Sequence, residues 1–302
     1  MCGIVGYVGS DHAGDFLLSG LRRLEYRGYD SAGIAIHGQE EFHVTRSVGR
    51  IDALANRLGA DPIDGPTGIG HTRWATHGPA TEDNAHPHLG GDGEVVLVHN
   101  GVIENFQSLK NELIEKGYRF ESATDSEVIA HLIAEGLKVT PATPDDPFLH
   151  YIQSVQWAVA QLRGTYGLVV AFRDQPNMLI AARFGSPLVL GVGHGEYFVA
   201  SDASPLAGCT DRIVYMADHQ LALLRPEGFS VIHREQGKVK VQIQPLEAAE
   251  QEVSLQGYDH YMLKEIYEQP ESLNNAMRGR LDDTPDVRPV SGGSLGDRMD
   301  CT

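Results

Sequence analysis

Four short segments carry side chains suited to chemistry on an amide or its charged substituents, and the first is almost at the start of the chain. Cys2 follows Met1, so removal of the methionine would leave a thiol and a free α-amine on one residue. An α-amine titrates at about 8, well below a lysine, and can accept the thiol's proton near neutral pH and later return it. The plainer reading is an incidental terminal cysteine, packed as a small hydrophobe. In GHTRWATHG, Gly70 to Gly78, a polar loop after a strand-like run holds Arg73, Thr76 and His77, with Trp74 among them. An arginine grips a carboxylate with two parallel hydrogen bonds, and hydroxyl or imidazole donors alongside would complete an amino-acid carboxylate site. The bland alternative is a solvated surface arginine. In HNGVIEN, Asn100 and Gly101 end the apolar run VVLV. A side-chain amide beside a backbone N–H can stabilise an oxyanion, while an Asn-Gly pair is more commonly a turn. Asp125 opens the helical pattern of ATDSEVI, where an N-cap is the default role and a counter-charge for a substrate ammonium is the functional one.

These segments need elements to hold them. Gly3 to Gly9 reads as a buried strand, and Leu17, Leu18, Leu21 and Leu24 follow at helical spacing, with Gly28 expected to close that segment as a C-cap. Further strand-like runs are predicted at 32–36, 42–45, 68–71, 95–99, 167–172, 178–182, 188–192, 197–200, 213–216, 220–224 and 229–233. Helical periodicity marks 51–58, 106–116, 126–137 and 148–162. Helices in succession followed by hairpin-like strands break a βαβ alternation, so the pattern predicts helices packed outside two antiparallel sheets. From Pro245 to Gln256 the chain turns polar and acidic, and a helix-like stretch interrupted at Pro270 covers Tyr258 to Arg280. The Pro- and Gly-bearing residues from Asp282 to Thr302 are expected to lack fixed structure.

Composition bounds the class of activity. The chain has 302 residues, of which 41% are hydrophobic and 22% charged, values suited to a globular enzyme. Its net charge of −17 disfavours binding to nucleic acid or to an anionic membrane surface. The three cysteines are widely spaced without a CxxC pair, and no run reaches the roughly 18 apolar residues of a membrane span, so a reducing cytoplasm is expected. The histidines invite a metal reading, and His71, His77, His86, His88 and His99 crowd one region, yet no HExxH or other regular ligand spacing accompanies them, and neither a P-loop nor a strand-anchored GxGxxG is present. No metal and no cofactor is expected.

Taken together, MCGIVGY, EYRGYDSAGI, HTRWATHG and HNGVIENF, followed by TDSEV, resemble the glutaminase domain of the glutamine–fructose-6-phosphate aminotransferases. The resemblance holds in order and spacing over about residues 1–240 and continues into HYMLKEIYEQP, which is similar to the stretch preceding that family's sugar-isomerase domain. YRG, where phosphoribosyl and asparagine-forming relatives usually carry HRG, points to the amino-sugar branch.

The resemblance implies an α+β fold, the four-layer αββα sandwich of the N-terminal-nucleophile hydrolases, with two antiparallel sheets between helical layers. It divides the chain into a glutaminase domain at 1–243 and a linker, helix-like segment and flexible tail at 244–302, leading to a sugar-isomerase domain absent from this sequence. It implies hydrolysis of the L-glutamine amide to glutamate and ammonia through a Cys2 thioester. In the intact enzyme that ammonia would convert fructose 6-phosphate to glucosamine 6-phosphate, and the full-length protein would be a homodimer. Cys2 would be the nucleophile, and Asn100 and Gly101 the oxyanion donors. Arg73, Thr76 and His77 would hold the carboxylate, Trp74 would belong to a mobile loop over the substrate, Asp125 with Gly101 would meet the ammonium, and Arg27 would support the surroundings of Cys2. The missing domain motivates the alternative, a catalytically weak glutamine-binding or partner-docking module.

Overall fold

The structure is a computed structural model that describes residues 2–60, 65–75, 78–141, 146–246 and 257–277. In chain order its elements are β1 (Gly3–Val8), α1 (Ala13–Leu24), β2 (Ser31–His37), β3 (Phe42–Val48), α2 (Ile51–Ala60), β4 (Thr67–Arg73), β5 (His88–Gly90) and β6 (Val95–Ile103). There follow α3 (Phe106–Glu115), α4 (Asp125–Val139), α5 (Leu149–Val159), β7 (Gly164–Phe172), β8 (Gln175–Phe184), β9 (Val189–Val192) and β10 (Tyr197–Ala200). The last are β11 (Arg212–Tyr215), β12 (Gln220–Arg225), β13 (Gly228–His233), β14 (Gly237–Val239), β15 (Gln244–Pro245) and α6 (Tyr261–Met277). The chain divides into two compact units, Met1–Glu252 and Val253–Thr302.

The first unit is built on two antiparallel sheets. One is ordered β15-β11-β9-β10-β1-β4-β2-β3 and the other β14-β13-β12-β8-β7-β6-β5. Three buried clusters define the layers. Leu17, Leu21 and Leu24 of α1 and Ile51 and Leu54 of α2 pack on the outer face of the first sheet with Val5, Tyr7, Ile34 and Ile36. Val128, Ile129, Leu132 and Ile133 of α4 and Ile152 and Val155 of α5 cover the outer face of the second with Leu97, Leu168, Val170 and Phe172. Ile4, Val8, Ile69, Val96, Val98, Val169 and Leu179 fill the space between the sheets. The result is the expected α+β sandwich of helix, sheet, sheet and helix.

Strand alternation then decides which polar side chains enter the middle layer, because residues two apart share a face. On β4, Ile69 lies between the sheets, so His71 and Arg73 carry the same parity. On β6, Val96 and Val98 lie there, and Asn100 follows them. On β1, Ile4 and Val8 lie there, and Cys2 precedes them with the same parity. Register brings Gly3 opposite Thr72, so Cys2 lies beside the end of β4.

Local chemistry differs from the sequence expectations in three places. Gly28 is not a left-handed C-cap: α1 gives way to a short 3-10 turn at Glu25–Arg27, and Gly28 is extended at φ −172°. A Cβ there would stand 2.8 Å from the Arg73 carbonyl, so close approach of the backbones is the reason for glycine. Asn100–Gly101 is not a turn, because β6 runs through both residues to Ile103. Asp125 is not the N-cap of α4: the Thr124 hydroxyl accepts the Glu127 N–H at 3.3 Å.

The Glu127 carboxylate in turn accepts the N–H groups of Glu121 and Ser122, each at 2.7 Å, and fastens the segment leading into the helix. This is a variant of the capping box, in which a Glu at the third helical position reaches back to orphan donors. The short strands β5, β14 and β15 were not expected from the sequence, since two or three residues leave no periodic signal. In the second unit, α6 continues through Pro270 instead of breaking there. The expected polar linker lies mostly outside the described residues, as does the expected unstructured tail.

Candidate active site

Cys2 is held by main chain. Its Sγ accepts the Trp74 N–H at 3.2 Å and lies 3.5 Å from the Trp74 carbonyl. Burial pushes its thiol above the ordinary range, against the Trp74 N–H and the Arg73 charge, which favour the thiolate. A thiol so placed stays protonated at neutral pH and needs a base to become a nucleophile.

A cleft opens beside it, lined by Cys2, Arg73, Trp74, His86, His99, Gly101, Thr124, Asp125 and Ser126. Arg73 is nearly inaccessible at 3% exposure, so it is not a solvated surface arginine. Its guanidinium donates to the carbonyls of Pro79 at 3.2 Å and Gly78 at 3.3 Å and lies 3.9 Å from Asp30 Oδ1. The other Asp30 oxygen accepts the Ala75 N–H. Asp30, in the YRGYD segment, therefore fastens both the arginine and the start of the loop that bears Trp74. The Trp74 ring is 49% exposed and meets Tyr29 edge-on at 5.6 Å. Thr76 and His77 lie outside the described residues.

Across the cleft, Asn100 Nδ2 donates to the Cys2 carbonyl at 3.2 Å. Gly101 adopts φ +144°, and a Cβ at this position would fall 2.0 Å from the Thr165 carbonyl oxygen. Only glycine can present its main chain to the cleft in this conformation. Asp125, 4% exposed, accepts the Ile103 N–H at 2.9 Å through Oδ2, which fixes its carboxylate at the head of α4 beside the cleft. Arg27 stands one step back. Its Nη1 donates to Asp202 Oδ2 at 3.2 Å and to the Ser201 carbonyl at 3.4 Å, and the Ser201 hydroxyl accepts the Ile4 N–H at 3.0 Å. It holds the segment that holds the strand following Cys2.

Asp30 and Ser126 of this neighbourhood were not singled out from sequence, and His71, His86 and His99 were noted only as part of a crowd of histidines; His86, His99 and Ser126 line the cleft, and the strand parity of His71 with Arg73 is a further signal for His71. The His71 and His86 rings lie 4.0 Å apart, and His86 and His88 4.6 Å apart. Desolvation lowers the pKa of His71 to about 3 and carries those of His86 and His88 down as well, so these imidazoles are neutral. Among the described residues no group of three or more His, Cys, Asp or Glu side chains could hold a metal ion, and no described helix is long and apolar enough to cross a membrane.

An activatable thiol, a glycine main chain, a buried arginine and a carboxylate on one cleft, with an amide donor bonded to the main chain of the thiol's own residue, can attack, polarise and orient an amide that carries its own carboxylate and ammonium. Residues 71–208 match the glutamine amidotransferase domain family. The chain is 43% identical over 288 residues to the glutamine–fructose-6-phosphate aminotransferase of Pyrococcus horikoshii, covering 95% of this chain and 47% of that protein. It is 47% identical over 285 residues to that of Thermus thermophilus, covering 93% of this chain and 45% of that protein. It thus spans about half the length of the relatives it matches. The fold resembles the glutamine phosphoribosylpyrophosphate amidotransferase of B. subtilis, with a TM-score of 0.62 at 23% identity over 76% of this chain and 48% of that one. Residues 71–208 thus resemble a glutamine amidotransferase domain, and nearly the whole chain is similar to about half the length of glutamine–fructose-6-phosphate aminotransferases.

Proposed function

We propose that this chain hydrolyses the side-chain amide of L-glutamine to glutamate and ammonia, with residues 1–243 as the glutaminase domain. The observation that carries the reading is the placement of Cys2, Arg73, Gly101 and Asp125 on one cleft, with Asn100 bonded to the nucleophile's own carbonyl. After loss of Met1, the Cys2 α-amine takes the thiol proton, which the raised thiol pKa requires, and the sulfur attacks the amide carbon. Charge builds on the amide oxygen, where the second N–H of Asn100 and the Gly101 N–H can meet it. The ammonium formed on Cys2 returns its proton to the departing nitrogen, ammonia leaves, and a thioester remains. Water, deprotonated by the same amine, attacks the thioester and releases glutamate and the thiol. Arg73 takes the substrate α-carboxylate and Asp125 its α-ammonium.

The relatives' names add an acceptor, and a sugar-phosphate site would lie in the half of their length that this chain does not match. Fructose 6-phosphate carries a dianion that calls for a helix N-terminus or a nest of backbone N–H groups. We infer that residues 244–302 lead toward such a domain and that this chain alone releases ammonia without forming glucosamine 6-phosphate. The engagement of Arg73 by Gly78, Pro79 and Asp30 favours the alternative of a weak glutamine binder, since those partners must yield to a substrate carboxylate. Incubating the chain with glutamine and fructose 6-phosphate, and assaying glutamate and amino sugar, decides. Glutamate alone supports the reading, amino sugar in proportion to glutamate overturns the division of labour, and neither product leaves the binding module.

A further inference from the structure

His71 lies on β4 beneath the candidate oxyanion amide, and its hydrogen bonds leave one arrangement. Nε2 is 3.1 Å from the His99 carbonyl oxygen and 3.0 Å from Asn100 Oδ1. The orientation of the Asn100 amide is fixed independently, because its nitrogen faces the Cys2 carbonyl, which can only accept. Asn100 therefore turns its oxygen to His71, both neighbours of Nε2 are acceptors, and Nε2 must carry the proton. The ring is fully buried and neutral, with Nδ1 bearing a lone pair that has no hydrogen-bond partner among the described residues. Against His86 on one side, it presents a single N–H shared between a carbonyl and the Asn100 amide.

An asparagine amide is nearly symmetric in shape, and only hydrogen bonding decides which end points where. If the amide reversed, an oxygen would face both the Cys2 carbonyl and the developing oxyanion, and the stabilisation would become repulsion. We propose that His71 is a positioning residue of the glutaminase reaction, its Nε2–H locking the Asn100 amide with nitrogen toward Cys2 and oxygen away. The proposal rests on Asn100 as an oxyanion donor. It assigns His71 no contact with substrate and no proton transfer.

The role separates from mere core packing by its pattern of effects. His71→Leu fills the site without a donor, and kcat should fall about tenfold or more, as a partly lost oxyanion donor would, while KM for glutamine stays within about threefold. His71→Gln returns an N–H at similar reach and should restore most of the turnover. In an Asn100→Ala background His71→Leu should lower kcat little further, because no amide is left to orient. Effects that multiply in the double variant, or a His71→Gln chain as impaired as His71→Leu at equal melting temperature, would overturn the proposal.

A readout independent of turnover uses the full chain labelled with 15N-histidine. His71 should show a protonated, slowly exchanging Nε2 and an unprotonated Nδ1, and the opposite tautomer sinks the proposed bond. A wild-type chain that shows this tautomer but hydrolyses no glutamine would refute the glutaminase reading, and the catalytic role of the bond with it.

Discussion

Asn100 and Cys2 are joined before any substrate arrives: the Asn100 amide nitrogen donates to the Cys2 carbonyl across 3.2 Å. One N–H of the amide thus aligns the nucleophile's main chain, and the other remains for the charge that forms on the substrate. Asn100→Ala should lower kcat on the order of 10²–10³ with a smaller change in KM, the pattern of a donor used in the transition state. Steady-state glutaminase kinetics check it, and a variant with unaltered kcat would remove Asn100 from the role.

The buried Cys2 thiol needs a base, and the free amine of the same residue is the one proposed. The active preparation should begin at Cys2 by intact-mass analysis, and Cys2→Ala should abolish turnover while leaving the melting temperature close to wild type. Full activity in a preparation that keeps Met1 quantitatively would exclude the α-amine as the base.

Arg73 is buried among carbonyl oxygens and beside Asp30, so its charge alone does not define its contribution. Arg73→Lys should raise KM for glutamine by at least about tenfold, because an ammonium cannot reproduce the planar two-point grip on a carboxylate. Equal KM values for the two proteins would show that the carboxylate binds elsewhere.

Gly101 lies in a strand at a φ that side chains avoid, with the Thr165 carbonyl where a Cβ would go. Gly101→Ala should cost about 1–3 kcal/mol of stability through backbone strain, and it should lower kcat beyond that loss by displacing the main-chain N–H. Thermal melting and kinetics on the same sample separate the two effects.

Acid should destabilise the domain in two stages. His71, His86 and His88 are held neutral by burial, so the unfolded chain binds more protons below its histidine pKa of about 6.5, and stability falls as pH drops from there. Burial alone would raise the Glu127 carboxyl, but His131 and the donors of Glu121 and Ser122 together hold it below the ordinary range. Its contribution is therefore complete above about pH 4.5 and fades as pH falls further. Glu127→Gln should destabilise by about 1–3 kcal/mol at pH 7 and by progressively less below pH 4.5. A difference that stays constant down to pH 3 would contradict the assignment.

The sequence exposed the cleft residues by type, and the structure supplied what type cannot. Cys2, Arg73, Asn100, Gly101 and Asp125 stood out because each combines reactive chemistry with a glycine, a strand end or a helix start nearby. His71 stood out only as one of a crowd of histidines and not as the partner of Asn100, which is 29 residues away on the other sheet, a distance no local pattern reports. A C-cap and an N-cap are the commonest local roles of Gly28 and Asp125 by residue type. The Arg73 main chain beside one and the Ile103 N–H on the other are tertiary contacts that outweigh those defaults. The long strands and helices were evident because their apolar periods are sustained, and β5, β14 and β15 were hidden by their brevity.

The alternation that buries Ile69 between the sheets is the same alternation that brings His71 and Arg73 to the cleft, so the reading frame of β4 serves core and chemistry at once. A single-residue insertion after Thr67 would shift that frame, turning Ile69, His71 and Arg73 together toward α1. A one-residue slip of this strand cannot keep the core and lose only the chemistry, or the reverse. Mispairing by one residue would therefore yield no well-packed but inert species, and Ile69 acts as the proofreader of the polar residues that share its face.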